Sequence, residues 1–152
     1  MPMAIAIIGG QPAQFKQMAD LHRRAAQEHN QPKPALSINS HGFIAETTQK
    51  AADIAFPAFK TTMDKIGKER GWPPMSRQQF DASITLKGAN VVGSPQDIID
   101  KIIYQHEIFG HDRFLLQMSV GSVPHEKLLR SIELFAKEVA PAVREKLGTP
   151  VQ

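Results

Sequence analysis

"GSPQDIIDKIIYQHEIFGHDRFLLQM", residues 93–118, contains a helix start, a helix end and a strand in one short stretch. Ser94 is a favoured N-cap residue, and Pro95 suits the first helical position because its ring presets the backbone angle. Gly110 is placed to end the helix as a C-cap. The apolar run that follows at once predicts a strand at about 113–118. The stretch therefore predicts a helix that leads directly into a buried strand.

Two more strands are predicted upstream, and each is followed by a helical pattern. The run "AIAII" predicts a strand at about 4–8, and apolar residues at every position suggest that both of its faces are covered. The segment "LSINSHGFI" predicts a strand at about 36–44. Helical periodicity follows at 13–29 and again at 47–71, where Pro57 predicts a kink or a break.

The segment at about 72–90 has no single period and predicts an irregular excursion, a kind of connection that is often functional. Within it, Ser76 and Gln79 have the spacing of a capping box for a short helix. Trp72 suits either a lid over a pocket or a packing anchor. After residue 121 a last amphipathic helix closes the chain.

The order of elements is βα repetition, which predicts an α/β fold with a parallel sheet and outer helices in a single domain, 1–152. Three strands make a poor closed sheet, and an Ile-rich open edge invites pairing with another chain. We therefore expect the sheet to be completed by oligomerisation or by a partner.

The composition excludes several classes of protein. The chain has 152 residues, no cysteine and a net charge of +3, with basic residues scattered among acidic ones. No disulfide scaffold or cysteine nucleophile is possible, and no basic patch suggests nucleic-acid binding. No apolar run is long enough to span a membrane, and no basic region precedes the apolar start, so we expect a cytoplasmic protein.

Three segments together resemble the C-terminal part of bacterial luciferase-like, flavin-dependent monooxygenases. "MPMAIAIIGGQPAQFKQMADLHRRAAQEHN" resembles the stretch that begins at their sixth barrel strand, and "NVVGSPQDIIDKI" resembles their G-[ST]-P-[EQ] helix start. "GHDRFLLQMSVGSVPHEKLLRSIELFAKEVAP" resembles their eighth strand and closing helix. Each motif is modest, but their order and spacing are specific and cover nearly the whole chain.

The resemblance implies the last three βα units of a (β/α)8 barrel. It implies reduced flavin mononucleotide (FMN), or a deazaflavin in some branches, bound where the barrel strands end and acting with oxygen on a small organic substrate. The family's segment that holds the flavin phosphate lies just upstream of the part matched here. By position in the resemblance, Ile7 either approaches the flavin ring or is an ordinary core residue of the first strand.

Five further residues are candidates for the site. Gly9 and Gly10 allow either close approach of a ligand to the backbone or a plain turn. Asn39 and His41 share one face of the second strand, where polar groups need a hydrogen-bond partner or water. His41 is the candidate catalytic residue, as a hydrogen-bond donor or proton shuttle, unless a neighbouring backbone group satisfies it. Gln117, at a strand end, is a candidate cofactor contact.

A metal site is not expected, because no His or acidic residue lies at ligand spacing from His41. Two functions remain open. The first is an oxidoreductase of the luciferase-like type, in which the flavin carries the chemistry. The second is a non-catalytic truncated or split barrel that acts as an oligomeric structural or binding protein without bound flavin.

Overall fold

The computed structural model describes residues 1–148, which form one parallel sheet. Most of the helices pack against one face of this sheet, and the helices from the middle of the chain cover Phe43 and Val92 at the carboxyl end of the other face. A 3-10 turn at Pro12–Phe15 leads into the first helix, and a π-helical turn at Phe135–Val139 joins the last two. The elements in chain order are β1 (Met3–Ile7), α1 (Lys16–Glu28), β2 (Leu36–Ile44), α2 (Thr48–Arg70), α3 (Arg77–Ser83), β3 (Val91–Gly93), α4 (Pro95–Phe109), β4 (Arg113–Gln117), α5 (His125–Leu134) and α6 (Ala140–Leu147).

Strand β2 is the centre of the sheet. Strand β1 pairs with it from Met3 opposite Leu36, and β4 pairs with it from Arg113 opposite Ser37. Because β1 and β4 contact the same part of β2, they lie on opposite sides of it. The short strand β3 pairs only with the last residues of β2. The order β1-β2-β4 is that of three successive βα units in a barrel, which confirms the predicted fold class, and the outer edges of β1 and β4 pair with no other strand within residues 1–148.

The helix boundaries follow the local chemistry of the sequence. Ser94 accepts a hydrogen bond from the Asp97 N–H, and the Asp97 carboxylate accepts one from the Ser94 N–H at 2.9 Å, which forms a capping box. Gly110 closes α4 in the left-handed conformation, with φ of +52°, where a side chain would be strained. These caps determine where α4 begins after β3 and where it ends before β4.

The region from α2 to β3 partly differs from what the sequence pattern predicts. Helix α2 runs unbroken through Pro57, because Ala51, Ala55 and Phe59 bury one side of it and offset the lost hydrogen bond. Within the irregular excursion, Ser76 and Gln79 form the predicted capping box, and the short helix α3 begins there. The strand β3, which follows directly, was not predicted.

The two faces of the sheet are very different. The face toward the helices carries the core residues Ile5, Ile7 and Ile38, each at most 3% exposed. On the opposite face Ala4 and Ala6 are exposed. The prediction that both faces of the first strand are covered is therefore wrong for residues 1–148, where helices cover one face of β1 only.

Candidate functional site

A cavity of about 700 Å³ opens where β1 and β2 end. In a parallel α/β sheet this is the edge at which ligands bind, because loops converge there. The residues that line it come from the β1–α1 turn, from β2, from α2 and from the excursion after α2. They are Ile8, Gly9, Gly10, His41, Phe59, Met63, Ile66, Arg70, Trp72, Pro73, Met75, Gln79, Ser83, Ala89 and Asn90.

The structure brings Gly9, Gly10 and His41 together in this cavity. Gly10 has φ of +73°, a conformation that favours glycine, whereas a Cβ on Gly9 would meet no atom within 4 Å. The tight turn therefore explains Gly10. Gly9 leaves open space at the cavity wall, where a ligand can approach the backbone.

His41 lies on β2 with its ring at the cavity wall. The ring meets Phe59 edge-on, with 6.0 Å between the ring centroids. Burial lowers the pKa of His41, so the imidazole is neutral at pH 7 and offers one donor and one acceptor. Its buried Nδ1 makes no hydrogen bond within residues 1–148. Because an unpaired buried polar atom is costly, the ring is well placed to bond a ligand.

The other candidate residues lie outside the cavity. Gln117 is the β4 residue opposite His41, and its side chain is exposed on the open face of the sheet. Asn39 lies on the same face, two residues before His41, and is half-buried. Ile7 is completely buried on the helix side, so a direct cofactor contact from Ile7 does not fit its position. Its neighbour Ile8, 58% exposed, lines the cavity instead.

The apolar wall of the cavity comes mainly from α2, and sequence reasoning missed it. Phe59, Met63, Ile66 and Arg70 follow one another at helical spacing along one face of α2. Arg70 lies over the ring of Trp72 at 5.2 Å, which holds the indole at the cavity rim. The spacing of the α2 residues was a usable signal, but nothing local indicated that this face meets the end of β1.

Asn90 is the second polar group at the cavity, and it too was missed. It is 3% exposed, its side-chain nitrogen donates to Ser83 Oγ at 2.8 Å, and its Oδ1 has no partner in the described part of the chain. Behind it, the ammonium of Lys101 donates to the Thr85 carbonyl at 2.6 Å and to the Asn90 carbonyl. Burial lowers the pKa of Lys101 to about 7. Lys101 thus fixes the segment that presents Asn90.

The residues fit the ring of a flavin better than its phosphate. The cavity offers apolar walls together with unpaired polar atoms on His41 and Asn90, as a heteroaromatic ring with carbonyl and imide groups requires. Among the described residues that line the cavity, Arg70 is the one permanent cation that could meet a phosphate.

Residues 1–148 show neither a metal cluster nor a membrane-spanning helix. No group of three or more His, Cys, Asp or Glu residues is arranged to hold a metal ion. None of the helices in this part of the chain combines the length and the apolar character that crossing a bilayer requires.

Comparison with known proteins gives similarity mainly at the level of structure. No family model matches the chain. An uncharacterised protein, y4vJ of Sinorhizobium fredii, is 30% identical over 64 residues, which are 42% of this chain and 18% of that protein.

Several solved monooxygenase structures contain the same arrangement of elements. Monooxygenase RslO1 from Streptomyces bottropensis has a TM-score of 0.74 at 21% identity, with 92% of this chain covered and 41% of that one. The oxygenating constituent of 3,6-diketocamphane monooxygenase from Pseudomonas putida, solved with FMN, has a TM-score of 0.63 at 19% identity, with coverage of 90% and 42%. The long-chain alkane monooxygenase LadA has a TM-score of 0.60 at 16% identity, with coverage of 98% and 38%.

The matched structures are longer than this chain, which spans about two-fifths of each. At these identities the likeness concerns the fold. The resemblance that the sequence motifs indicated is confirmed at that level: the chain has the fold of the C-terminal part of a luciferase-like flavin-dependent monooxygenase.

Proposed function

We propose that this chain forms part of the cofactor and substrate site of a luciferase-like flavin-dependent monooxygenase that acts on a small organic molecule. The observation that carries the proposal is the cavity at the carboxyl edge of the sheet, where Gly9, Gly10 and His41 meet. Reduced FMN, or a deazaflavin, would supply the redox chemistry when bound. The proposed setting is the cytoplasm.

The residues of the chain have distinct roles in this proposal. Phe59 and Met63 exclude water from the ring, and the backbone at Gly9 allows it to approach closely. His41, neutral at pH 7, hydrogen-bonds a carbonyl of the cofactor or a substrate oxygen and can pass a proton there. Asn39 and Gln117 contact the part of the ligand that extends over the open face of the sheet.

A titration with FMN tests the proposal. The purified chain is titrated while flavin fluorescence is followed, and we expect saturable quenching in the micromolar range. His41→Gln preserves polarity but changes the ring contact, and we expect at least tenfold weaker binding, about 1.4 kcal/mol. His29→Gln, at an exposed position, is the control and leaves binding unchanged. A folded chain that gives no quenching contradicts the proposal.

A second candidate function is an oligomeric structural or binding protein without bound flavin. It is favoured by the open face and unpaired edges of the sheet, where Ile8 and Leu115 are 58% and 42% exposed. A second copy, or a chain with the other barrel strands, would cover these surfaces. Light scattering on the sample used for the titration separates the two: a well-folded oligomer that does not quench flavin supports this second function.

A further inference from the structure

A second cavity lies at the opposite end of the sheet from the first. It has a volume of about 510 Å³ and is enclosed by α4, the start of β4 and the last helical segment. Its apolar walls are made by Ile102, Phe114, Phe135, Val143 and Leu147. All of these elements belong to residues 1–148, so the cavity exists without any contribution from further barrel strands.

Two histidines lie side by side at this cavity. His111 is 6% exposed and lies edge-on to His106, with 5.1 Å between the ring centroids. The Nδ1 atom of His106 is buried and makes no hydrogen bond within residues 1–148, whereas the His111 ring lies near the Gln105 backbone. Burial and, second, the nearby His106 lower the pKa of His111 to about 4, although the Gln105 backbone raises it slightly. His111 therefore presents a neutral imidazole at pH 7.

The charged residues at the cavity are mainly basic. Arg113 and Arg144 line it, and neither forms an ion pair in the described part of the chain. Asp112 also lines it, but its Oδ2 already accepts a hydrogen bond from the Leu36 N–H at 2.8 Å. Two guanidinium groups and one carboxylate leave one net positive charge. This balance favours a ligand with a single negative charge.

The backbone beside the cavity is also unusual. The π-helical turn at Phe135–Val139 interrupts the last helix, and the cavity is lined by Phe135 and by Ala140, the residue after the turn. Such turns are rare and occur mostly at functional sites, because they re-aim the side chains around them. Here the wider turn places an aromatic ring on the cavity wall.

From these four features we propose that this second cavity, at the amino end of the strands, is a binding site for a small organic monoanion. Its carboxylate bonds Arg113, Arg144 and an imidazole N–H of the histidine pair. Its apolar body packs against Phe114 and Phe135. This site is separate from the proposed cofactor site, because the two cavities lie at opposite ends of parallel strands.

Titration with hydrocinnamate tests the proposal, because this monoanion joins one carboxylate to one aromatic body. The readout is the imidazole NMR signals of the 15N-labelled chain, assigned with His106→Gln and His111→Gln. We expect saturable shifts of the His106 and His111 signals, while the His41 signal stays in place. Hydrocinnamyl alcohol, which has the same body without the charge, should bind at least tenfold more weakly.

Arg144→Met provides the decisive variant, because Arg144 is exposed and its loss should leave the melting temperature unchanged. It should weaken hydrocinnamate binding at least tenfold. Arg24→Met, which removes an exposed cation paired with Glu28 on α1, is the matched control and should bind like the unmodified chain. Absence of saturable shifts, or equal affinity of the Arg144→Met variant and the unmodified chain, would overturn the proposal whether or not the chain binds flavin.

Discussion

Along β1, β4 and the first part of β2, the two faces of the sheet have opposite relations to solvent, although the same strands build both. On the helix side Ile38 is fully buried, and on the other side Leu115, which is paired with Asn39 of β2, is 42% exposed. Burial of apolar area is the main stabilising term in folding, so the helix side holds this structure together. The open side is left for ligands or for other barrel strands. Stability and function are therefore carried by alternate residues of the same strands.

Truncation of one residue on each face gives the largest expected difference. Ile38→Ala should lower the free energy of unfolding by about 2–5 kcal/mol, because it leaves a cavity in a fully buried site. Leu115→Ala should cost less than about 1 kcal/mol, because its side chain is already partly in water. Urea unfolding of both variants measures the difference. An equal cost at both sites would mean that the open face is covered in solution.

Acid should lower the free energy of unfolding of the chain, because His111 is buried on the helix side. Its pKa in the folded chain is lowered to about 4, below the ordinary value of 6.5, so the unfolded chain takes up a proton first as the pH falls. The stability that His111 contributes is complete above pH 6.5 and should fall by roughly 3 kcal/mol by pH 4. His111→Gln should remove this part of the pH dependence, and His29→Gln should retain it. Urea unfolding across this pH range would refute the assignment if the two variants gave the same slope.

An added methyl group should have very different effects on stability at Gly42, inside the sheet, and at Gly9, in the turn after β1. Gly42 lies on the helix side of β2, and a Cβ there would clash with the Leu116 side chain and with the Val91 carbonyl oxygen, a backbone atom that moves little. Gly42→Ala should cost about 1–3 kcal/mol through overpacking. Gly9→Ala, where no atom lies within 4 Å, should change stability by less than about 0.5 kcal/mol. Thermal melts of the pair would contradict this packing if Gly42→Ala melted like the unmodified chain.

The smallest expected effect concerns the support behind the cofactor cavity. Lys101→Met removes the donors to the Thr85 and Asn90 carbonyls while it keeps most of the side-chain volume. Amide exchange at Gly88 and Asn90, whose N–H groups bond Thr85 and Ser83, should become about tenfold faster, which corresponds to about 1.4 kcal/mol. Exchange in α2 should not change. Unaltered exchange at Asn90 would show that Lys101 does not hold this segment.

Much of the fold followed from local chemistry. Ser94 and Gly110 determine where α4 begins and ends, because capping depends on residues within one turn of the helix end. The alternation in β2 placed Asn39 and His41 on one face, as a two-residue period requires. Strand β3 was missed because three apolar residues carry no period, and β3 exists only because β2 offers a free edge.

The site depended on tertiary structure to a greater degree. The sequence by itself determined the βα order, the helix caps and the polar face that carries His41, because each depends on neighbours along the chain. Only the tertiary structure decided that Ile8 rather than Ile7 meets the cavity, and that α2 and Asn90 complete its wall. It also decided that the histidine pair shares a cavity with Arg144. The physical reason is that a cavity is bounded by residues far apart in sequence, and their meeting depends on how whole elements pack.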